Sequence, residues 1–142
     1  MHDHVAILVA DDDEEDHLIL MDYFDSFGFQ QGVLFVPNGK KVLEYLEKTS
    51  DEYLPLLIIL DLNMPILNGT QTLQYLKNSA RLGQIPVLIY STSDNDNERR
   101  KSLRYGAIDY LVKPHSYEEG KAMIDKIIQF VQSENPKSSN EG

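Results

Sequence analysis

Short runs of apolar, often β-branched residues alternate along this chain with longer segments of helical periodicity. That alternation is typical of βαβ units wound around a parallel sheet. The runs are mostly continuous rather than alternating, which indicates strands covered on both faces. The candidate strands are Val5–Ala10, Val33–Val36, Leu56–Leu60, Pro86–Tyr90 and Ile108–Val112. The sequence therefore predicts an α/β domain, with a doubly wound five-stranded parallel sheet and helices on both faces.

Capping residues mark the first three helices. Asp13 is suited to cap the first helix and Gly28 to end it, while Asn38 and Asn68 stand before the second and third. The apolar residues spaced to face the core of these helices are Leu20, Phe24 and Phe27, then Val42, Leu43 and Leu46, then Leu73 and Leu76.

The fourth helix, expected over residues 95–105, is unusually polar. Leu103 is its one clear apolar anchor, so it should be the least firmly packed helix, and Gly106 should follow its end. Ser116 and Glu119 form a capping box for the last helix. That helix is expected to bury Met123, Ile124, Ile127, Ile128 and Val131.

Polar residues collect where the predicted strands end. In a doubly wound sheet, ligands bind beyond the carboxyl ends of the strands, near the point where strand order reverses. These ends carry Asp11, Asp12 and Asp13 in the first strand, Asp61 and Asn63 in the third, Ser91 in the fourth and Lys113 in the fifth. The topology predicts that these residues converge, although Asp13 is better explained as a helix cap.

The clustered acids favour phosphoryl chemistry. Carboxylates in one crevice repel each other and lose hydration, so they need a cation, and oxygen ligands beside an incoming phosphate suit Mg²⁺. Asp61 would be the nucleophile that forms an acyl phosphate. Ser91 and Lys113 would supply a hydroxyl and an ammonium to the phosphoryl oxygens. The isomer of the Lys113–Pro114 bond stays open.

From Val5 to Val131 the chain resembles CheY-like response-regulator receivers. The matching pieces are the acidic run after the first strand, Asp61 to Pro65 followed by Asn68 and Gly69, the Ser91 hydroxyl, and Tyr110 to Pro114. The resemblance implies strand order 2-1-3-4-5. It also implies that Asp11 and Asp12 hold Mg²⁺, Asp12 the more directly, together with Asp61 and the backbone carbonyl of Asn63.

The same resemblance implies a switch and a set of partners. Asp61 would accept the phosphoryl group from a histidine kinase or a phosphotransfer protein, with Ser91 and Lys113 at its oxygens. Tyr110 matches an aromatic residue whose rotamer follows Ser91. An unnamed downstream protein would read the fourth helix, fifth strand and fifth helix, and a homodimer is left open. We expect no enzymatic activity beyond self-catalysed phosphorylation and dephosphorylation.

Some positions depart from the common family pattern. Thr92 stands where a small residue is frequent and could restrict the phosphodonor, His115 replaces an apolar residue, and the stretch Glu47–Pro55 is long. The run Ser91–Ser93 is similar to stand-alone regulators that serve phytochrome-type histidine kinases.

Composition narrows the remaining classes. A net charge of -10 argues against direct nucleic-acid binding. No run approaches the roughly 20 apolar residues that span a bilayer. With no cysteine and no signal peptide, a cytoplasmic location is expected. Residues 1–132 are expected to form the receiver and 133–142 a disordered polar tail, which makes this a stand-alone regulator.

Three other functions compete with a phosphorylated receiver. A haloacid-dehalogenase-like phosphatase also uses an Asp nucleophile and magnesium, but it needs a general acid where this chain has Asn63. A flavodoxin needs a phosphate-binding loop after the first strand, where the run Asp11–Glu15 would repel phosphate. A receiver acting only as a binding module usually lacks Asp61 or Lys113, and both are present.

Overall fold

The computed structural model describes residues 4–29 and 31–134, which form five strands and five α-helices in alternating order. The strands are β1 (Val5–Ala10), β2 (Gly32–Val36), β3 (Leu57–Leu60), β4 (Val87–Ser91) and β5 (Asp109–Val112). The helices are α1 (Glu14–Ser26), α2 (Gly39–Glu47), α3 (Gly69–Lys77), α4 (Asp96–Arg104) and α5 (Tyr117–Glu134). A short 3₁₀ helix, Asp51–Tyr53, precedes β3.

The five strands form one parallel sheet in the order β2-β1-β3-β4-β5, which confirms the predicted fold and strand order. Strands β1 and β3 lie side by side, with Ala10 opposite Leu60. Their carboxyl ends therefore deliver Asp11 and Asp61 to neighbouring positions. The order reverses at β1, where β2 lies on one side and β3 on the other, so this is the crevice that the topology predicted.

Two apolar layers cover the sheet. One layer packs α2 and α3 against it through Val42, Leu46, Leu73 and Leu76. The other packs α1 and α5 through Leu20, Phe24, Ile124 and Ile128. Because the central strands β1, β3 and β4 are buried on both faces, their ends are held firmly in place.

The caps predicted for the first three helices are confirmed, and α4 is capped in the same way. The side chains of Asp13, Asn38, Asn68 and Asn95 each accept a backbone N–H in the first turn of the helix that follows. The capping box predicted for α5 is changed. Ser116 Oγ accepts the Glu119 N–H at 3.1 Å, whereas the Glu119 carboxylate accepts the N–H of His115 at 3.2 Å.

Two predicted anchor residues are wrong. Phe27 is 39% exposed because α1 ends at Ser26, and Gly28, at φ 66°, turns the chain back so that Phe29 packs on Phe24 instead. Leu103 is 43% exposed, and the buried residue of α4 is Ser102. In α4 the polar side of the helix faces the sheet.

Helix α5 continues to Glu134, two residues past the expected domain boundary at residue 132. Residues 135–142, the remainder of the expected tail, lie outside the described residues. Within residues 4–29 and 31–134, no helix combines the length and the apolar character needed to cross a membrane.

Candidate functional site

The acidic site lies at the ends of β1 and β3. Asp11 is fully buried and Asp61 nearly so, whereas Asp12 is exposed. One carboxylate oxygen from each of these three residues lies within 4.8 Å of the other two. Asp61 is fixed in position by its own backbone N–H, which donates to the carbonyl of Ala10 at 2.9 Å. The structure thus brings together the three acids predicted at these strand ends.

Lys113 reaches this cluster from the end of β5. Its Nζ lies 2.9 Å from Asp11 Oδ2 and 3.6 Å from Asp61 Oδ2. The Lys113 backbone N–H donates to the carbonyl of Ser91 at 2.7 Å, which holds the residue beside the end of β4. Its side chain is only 11% exposed and also lies over the ring of Tyr90, with Nζ 5.2 Å from the ring centroid. The ammonium is therefore largely desolvated among carboxylates.

Burial shifts the acid–base properties of these groups. Desolvation raises the pKa of Asp11 to about 6 from its ordinary value of 3.8, although the Asp13 N–H and the Lys113 ammonium oppose that rise. Desolvation also raises the pKa of Asp61. For Lys113, desolvation lowers the pKa, but bonds to Asp16 and Asp11 outweigh it and the net shift is upward. Raised carboxylate pKa values mean that the negative charges here are only partly compensated.

The donor set fits a hard divalent cation. Asp11, Asp12 and Asp61 can each offer one carboxylate oxygen within 4.8 Å of the others, and Mg²⁺ takes one or two such carboxylates with water or phosphate oxygens completing its shell. The raised pKa values of Asp11 and Asp61 point the same way, because a bound cation would favour the ionised forms. The backbone N–H of Asn63 donates to Asp61 Oδ1 at 3.4 Å. The metal-binding role of the Asn63 carbonyl stays a prediction.

Ser91 ends β4 and is fully buried. Its Oγ accepts the backbone N–H of Ser93 at 3.1 Å. Thr92 between them is exposed, as is His115 beyond Lys113. The peptide bond between Lys113 and Pro114 is trans.

Tyr110 points inward and connects the site to α4. It is 1% exposed, and its hydroxyl donates to the carbonyl of Ser93 at 2.7 Å and lies 3.2 Å from Glu98 Oε2. Arg99 of α4 covers the ring, with its guanidinium carbon 4.9 Å from the centroid, and donates to the Tyr110 carbonyl at 3.0 Å. Tyr110 and Ser91 therefore share the segment around Ser93, and the switch role of both residues stays a prediction.

Sequence reasoning missed two residues near these groups. Asp16, in the first turn of α1, has Oδ2 2.6 Å from Lys113 Nζ. The available signal was its position three residues after the predicted cap Asp13, which puts it in the first turn of α1 beside the acidic run. The other missed residue is Arg99, and nothing in its local sequence distinguishes it from Arg100.

A cluster of three acids, a largely buried lysine and a buried hydroxyl at the strand ends of this topology are typical of phosphoacceptor domains. The family model described as the response regulator receiver domain matches residues 7–125. The chain therefore belongs to the response regulator receiver domain family, whose members are typically phosphoacceptors in two-component signalling that interact with histidine kinases or phosphotransfer proteins. This match supports the receiver function over the phosphatase alternative.

Individual response regulators are similar to this chain in sequence or in structure. The "Probable methanogenesis regulatory protein FilR2" of Methanothrix harundinacea is 31% identical over 130 residues, covering 90% of this chain and 84% of that protein. The phosphorylated cyanobacterial phytochrome response regulator RcpA superposes with a TM-score of 0.80 at 27% identity, over 92% of this chain and 95% of that one. The Mn²⁺-bound response regulator Rcp1 gives 0.74 at 26% identity, over 85% and 89%.

Proposed function

We propose that this receiver takes a phosphoryl group on Asp61 in a reaction that depends on Mg²⁺. The observation that carries the proposal is the buried Asp61 carboxylate, placed with Asp11 and Asp12 in one oxygen cluster and with the Lys113 ammonium 3.6 Å away. A nucleophile, a metal-binding donor set and a fixed cation are the parts that phosphoryl transfer to a carboxylate requires.

In the proposed step, an oxygen of Asp61 forms a bond to phosphorus while the bond from phosphorus to the donor's leaving atom breaks. The leaving atom keeps the electron pair, and the product is an aspartyl phosphate. Asp61 must be ionised to attack, although its burial favours the neutral acid. Magnesium, held by Asp11, Asp12 and Asp61 with the predicted Asn63 carbonyl, would supply charge neutralisation to the carboxylates and the phosphoryl oxygens.

Lys113 and Ser91 are proposed to hold the phosphoryl oxygens after transfer. The Lys113 ammonium already lies among the site's carboxylates and has three protons to donate. The Ser91 hydroxyl accepts the Ser93 N–H, so turning toward a phosphoryl oxygen would exchange that bond for a charge-assisted one. Because Ser93 also accepts from Tyr110, this turn would disturb the contact that holds Tyr110 inward.

The proposed output is a change at the surface formed by α4, β5 and α5. Tyr110 contacts Glu98 and Arg99 on α4, so a displacement of Ser93 reaches that helix through one side chain. A phosphoryl group needs only to favour one of two arrangements of these contacts to shift the population of the surface. The proposed reader of that surface is a downstream protein.

The proposed phosphodonor is a histidine kinase or a phosphotransfer protein. The likeness to RcpA, together with the Ser91–Ser93 run, favours a kinase of the phytochrome type. A cytoplasmic location, the lack of direct nucleic-acid binding and the choice between monomer and homodimer remain predictions.

The test is incorporation of phosphate from a small acyl-phosphate donor with and without Mg²⁺. Wild type should form a metal-dependent acyl phosphate, detected as a mass increase and as a band on phosphate-affinity gels, and Asp61→Asn should form none. Asp125→Asn, on the surface of α5 where its carboxylate accepts a bond from Gln129, is the matched control and should behave as wild type. If wild type incorporates nothing, the chain is instead a receiver that acts only as a binding module.

A further inference from the structure

Asp16 makes the shortest ion pair at the site, although it is not one of the acids in the oxygen cluster. Its Oδ2 lies 2.6 Å from Lys113 Nζ, compared with 2.9 Å for Asp11 and 3.6 Å for Asp61. The Asp16 side chain is 21% exposed, so water reaches one side of this pair while Lys113 is largely buried. The lysine expected at the phosphoryl oxygens is therefore already engaged by a competing carboxylate.

We propose that Asp16 is a positioning residue that holds Lys113 away from Asp61 and so lowers the affinity of the site for a phosphoryl group. This inference rests on the proposed function of Asp61. It assigns to Asp16 a part in the reaction that the acid cluster alone does not explain.

The cluster geometry separates Asp16 from the other acids. A cation bound by oxygens of Asp11, Asp12 and Asp61 would neutralise those three carboxylates and repel the Lys113 ammonium. Asp16 lies outside that group and would keep its full charge. With the metal bound, Asp16 becomes the strongest remaining partner of Lys113. Their ion pair should therefore strengthen rather than break.

An arriving phosphoryl group then meets two effects of the same sign. Lys113 must shift from the Asp16 carboxylate to a phosphoryl oxygen. The Asp16 carboxylate, then unpaired, also repels the negatively charged phosphoryl group. Both effects disfavour the phosphorylated state. Removing the charge of Asp16 while keeping its size should therefore strengthen binding of any tetrahedral anion at Asp61.

Beryllofluoride at saturating Mg²⁺ is the probe, with the bound adduct followed by ¹⁹F NMR. The Asp16→Asn variant should bind it about 3- to 5-fold more tightly than wild type, the upper part of the range expected for the loss of one partly exposed competing ion pair. Asp16→Glu, which keeps the charge, should stay within about twofold of wild type. The control is Asp25→Asn, an equal charge change nine residues further along α1, about 13 Å away, which should have no effect.

A double-mutant cycle separates this role from a purely structural one. If Asp16 acts through Lys113, the gain from Asp16→Asn should vanish in the Lys113→Ala background. An equal gain in both backgrounds would overturn the proposal, as would an Asp16→Asn affinity equal to or weaker than that of Asp25→Asn.

A second measurement does not depend on phosphoryl chemistry. In the Mg²⁺-saturated protein, the Lys113 ammonium protons should exchange with water more slowly in wild type than in Asp16→Asn, because the pair shields them. Failure of wild type to bind beryllofluoride would refute the proposed function, whereas normal wild-type binding with unchanged proton exchange in Asp16→Asn would refute only the role of Asp16.

Discussion

The acid cluster and the inner face of α4 are stabilised in opposite ways. At the cluster, Asp11 and Asp61 directly follow the central strands β1 and β3, and both are buried at positions that the sheet fixes. At α4 the buried residue is Ser102, and the contacts to the sheet run through the polar side chains of Glu98 and Arg99 around Tyr110.

This contrast matters for signalling. The cluster costs folding free energy in the absence of a cation, because its charges are buried and incompletely paired. Helix α4 lacks a large apolar anchor in the described structure, so its position depends on a few hydrogen bonds, each with a net contribution of about 1 kcal/mol. A change of charge at the acid cluster can therefore rearrange the contacts of α4 without unfolding the domain.

We expect the largest effect from removing the Lys113 ammonium, which is the protein's own cation at the acid cluster. Lys113→Met should destabilise the metal-free protein by about 3 to 5 kcal/mol at neutral pH, since it leaves Asp11 and Asp61 buried without a partner. Urea unfolding with and without Mg²⁺ measures this, and Mg²⁺ should recover much of the loss. Lys121→Met, at an exposed lysine over the Tyr117 ring, is the control. A loss that Mg²⁺ does not reduce would mean that packing, rather than charge, explains the effect.

The pH dependence of the unfolding free energy should reflect the raised pKa of Asp11 in the same cluster. Burial raises the pKa of Asp11 from 3.8 to about 6, so the folded protein binds this proton more tightly than the unfolded chain. Stability from this group is thus fully present below pH 3.8 and is lost as pH rises through about 6, by up to about 3 kcal/mol. The measurable quantity is the difference in unfolding free energy between wild type and Asp11→Asn from pH 4 to pH 8, without metal.

Saturating Mg²⁺ should flatten that difference, because the metal binds the ionised carboxylate and replaces the proton. A wild-type minus Asp11→Asn difference that is independent of pH without metal would contradict the raised pKa of Asp11.

At the α4 end, the smaller effects should come from the contacts around Tyr110. Arg99→Ala removes the guanidinium over the ring and the bond to the Tyr110 carbonyl, together worth about 1 to 2 kcal/mol. Amide hydrogen exchange in α4 should accelerate by about tenfold. Arg100→Ala is matched in charge and position, and it loses only a surface bond to Asn97. Equal acceleration in both variants would show that helix charge, and not the Tyr110 contact, holds α4.

The difference between the two regions also explains what sequence could predict. The acids, Ser91 and Lys113 converge because parallel strands place their carboxyl ends on one edge. The strands and helices themselves follow from apolar runs and caps, which are local features, whereas the strand order was implied by the resemblance to receivers. The starts of α1 to α3 were predictable for the same reason, because the side chains of Asp13, Asn38 and Asn68 each cap the adjacent turn.

Contacts of side chains that do not follow the end of a strand were not predictable in this way. The pairing of Asp16 with Lys113 joins α1 to β5, and its short distance depends on the tertiary arrangement of a flexible lysine. The rotation of α4 was mispredicted because Leu103 was assumed to face the core by its hydrophobicity. In the structure the buried hydroxyphenyl ring of Tyr110 presents polar groups to that helix, so Arg99 and Ser102 face inward instead.

Leu103→Ala should have the smallest effect and sharpens the comparison most directly. At 43% exposure Leu103 buries little area that the substitution could remove, so thermal or urea unfolding should change by less than about 0.5 kcal/mol. The same deletion at Leu73, fully buried in α3, should cost about 2 to 5 kcal/mol. If Leu103→Ala approached the Leu73→Ala value, α4 would have an apolar anchor after all, and its motion would have to be driven by far more than an exchange of hydrogen bonds around Tyr110.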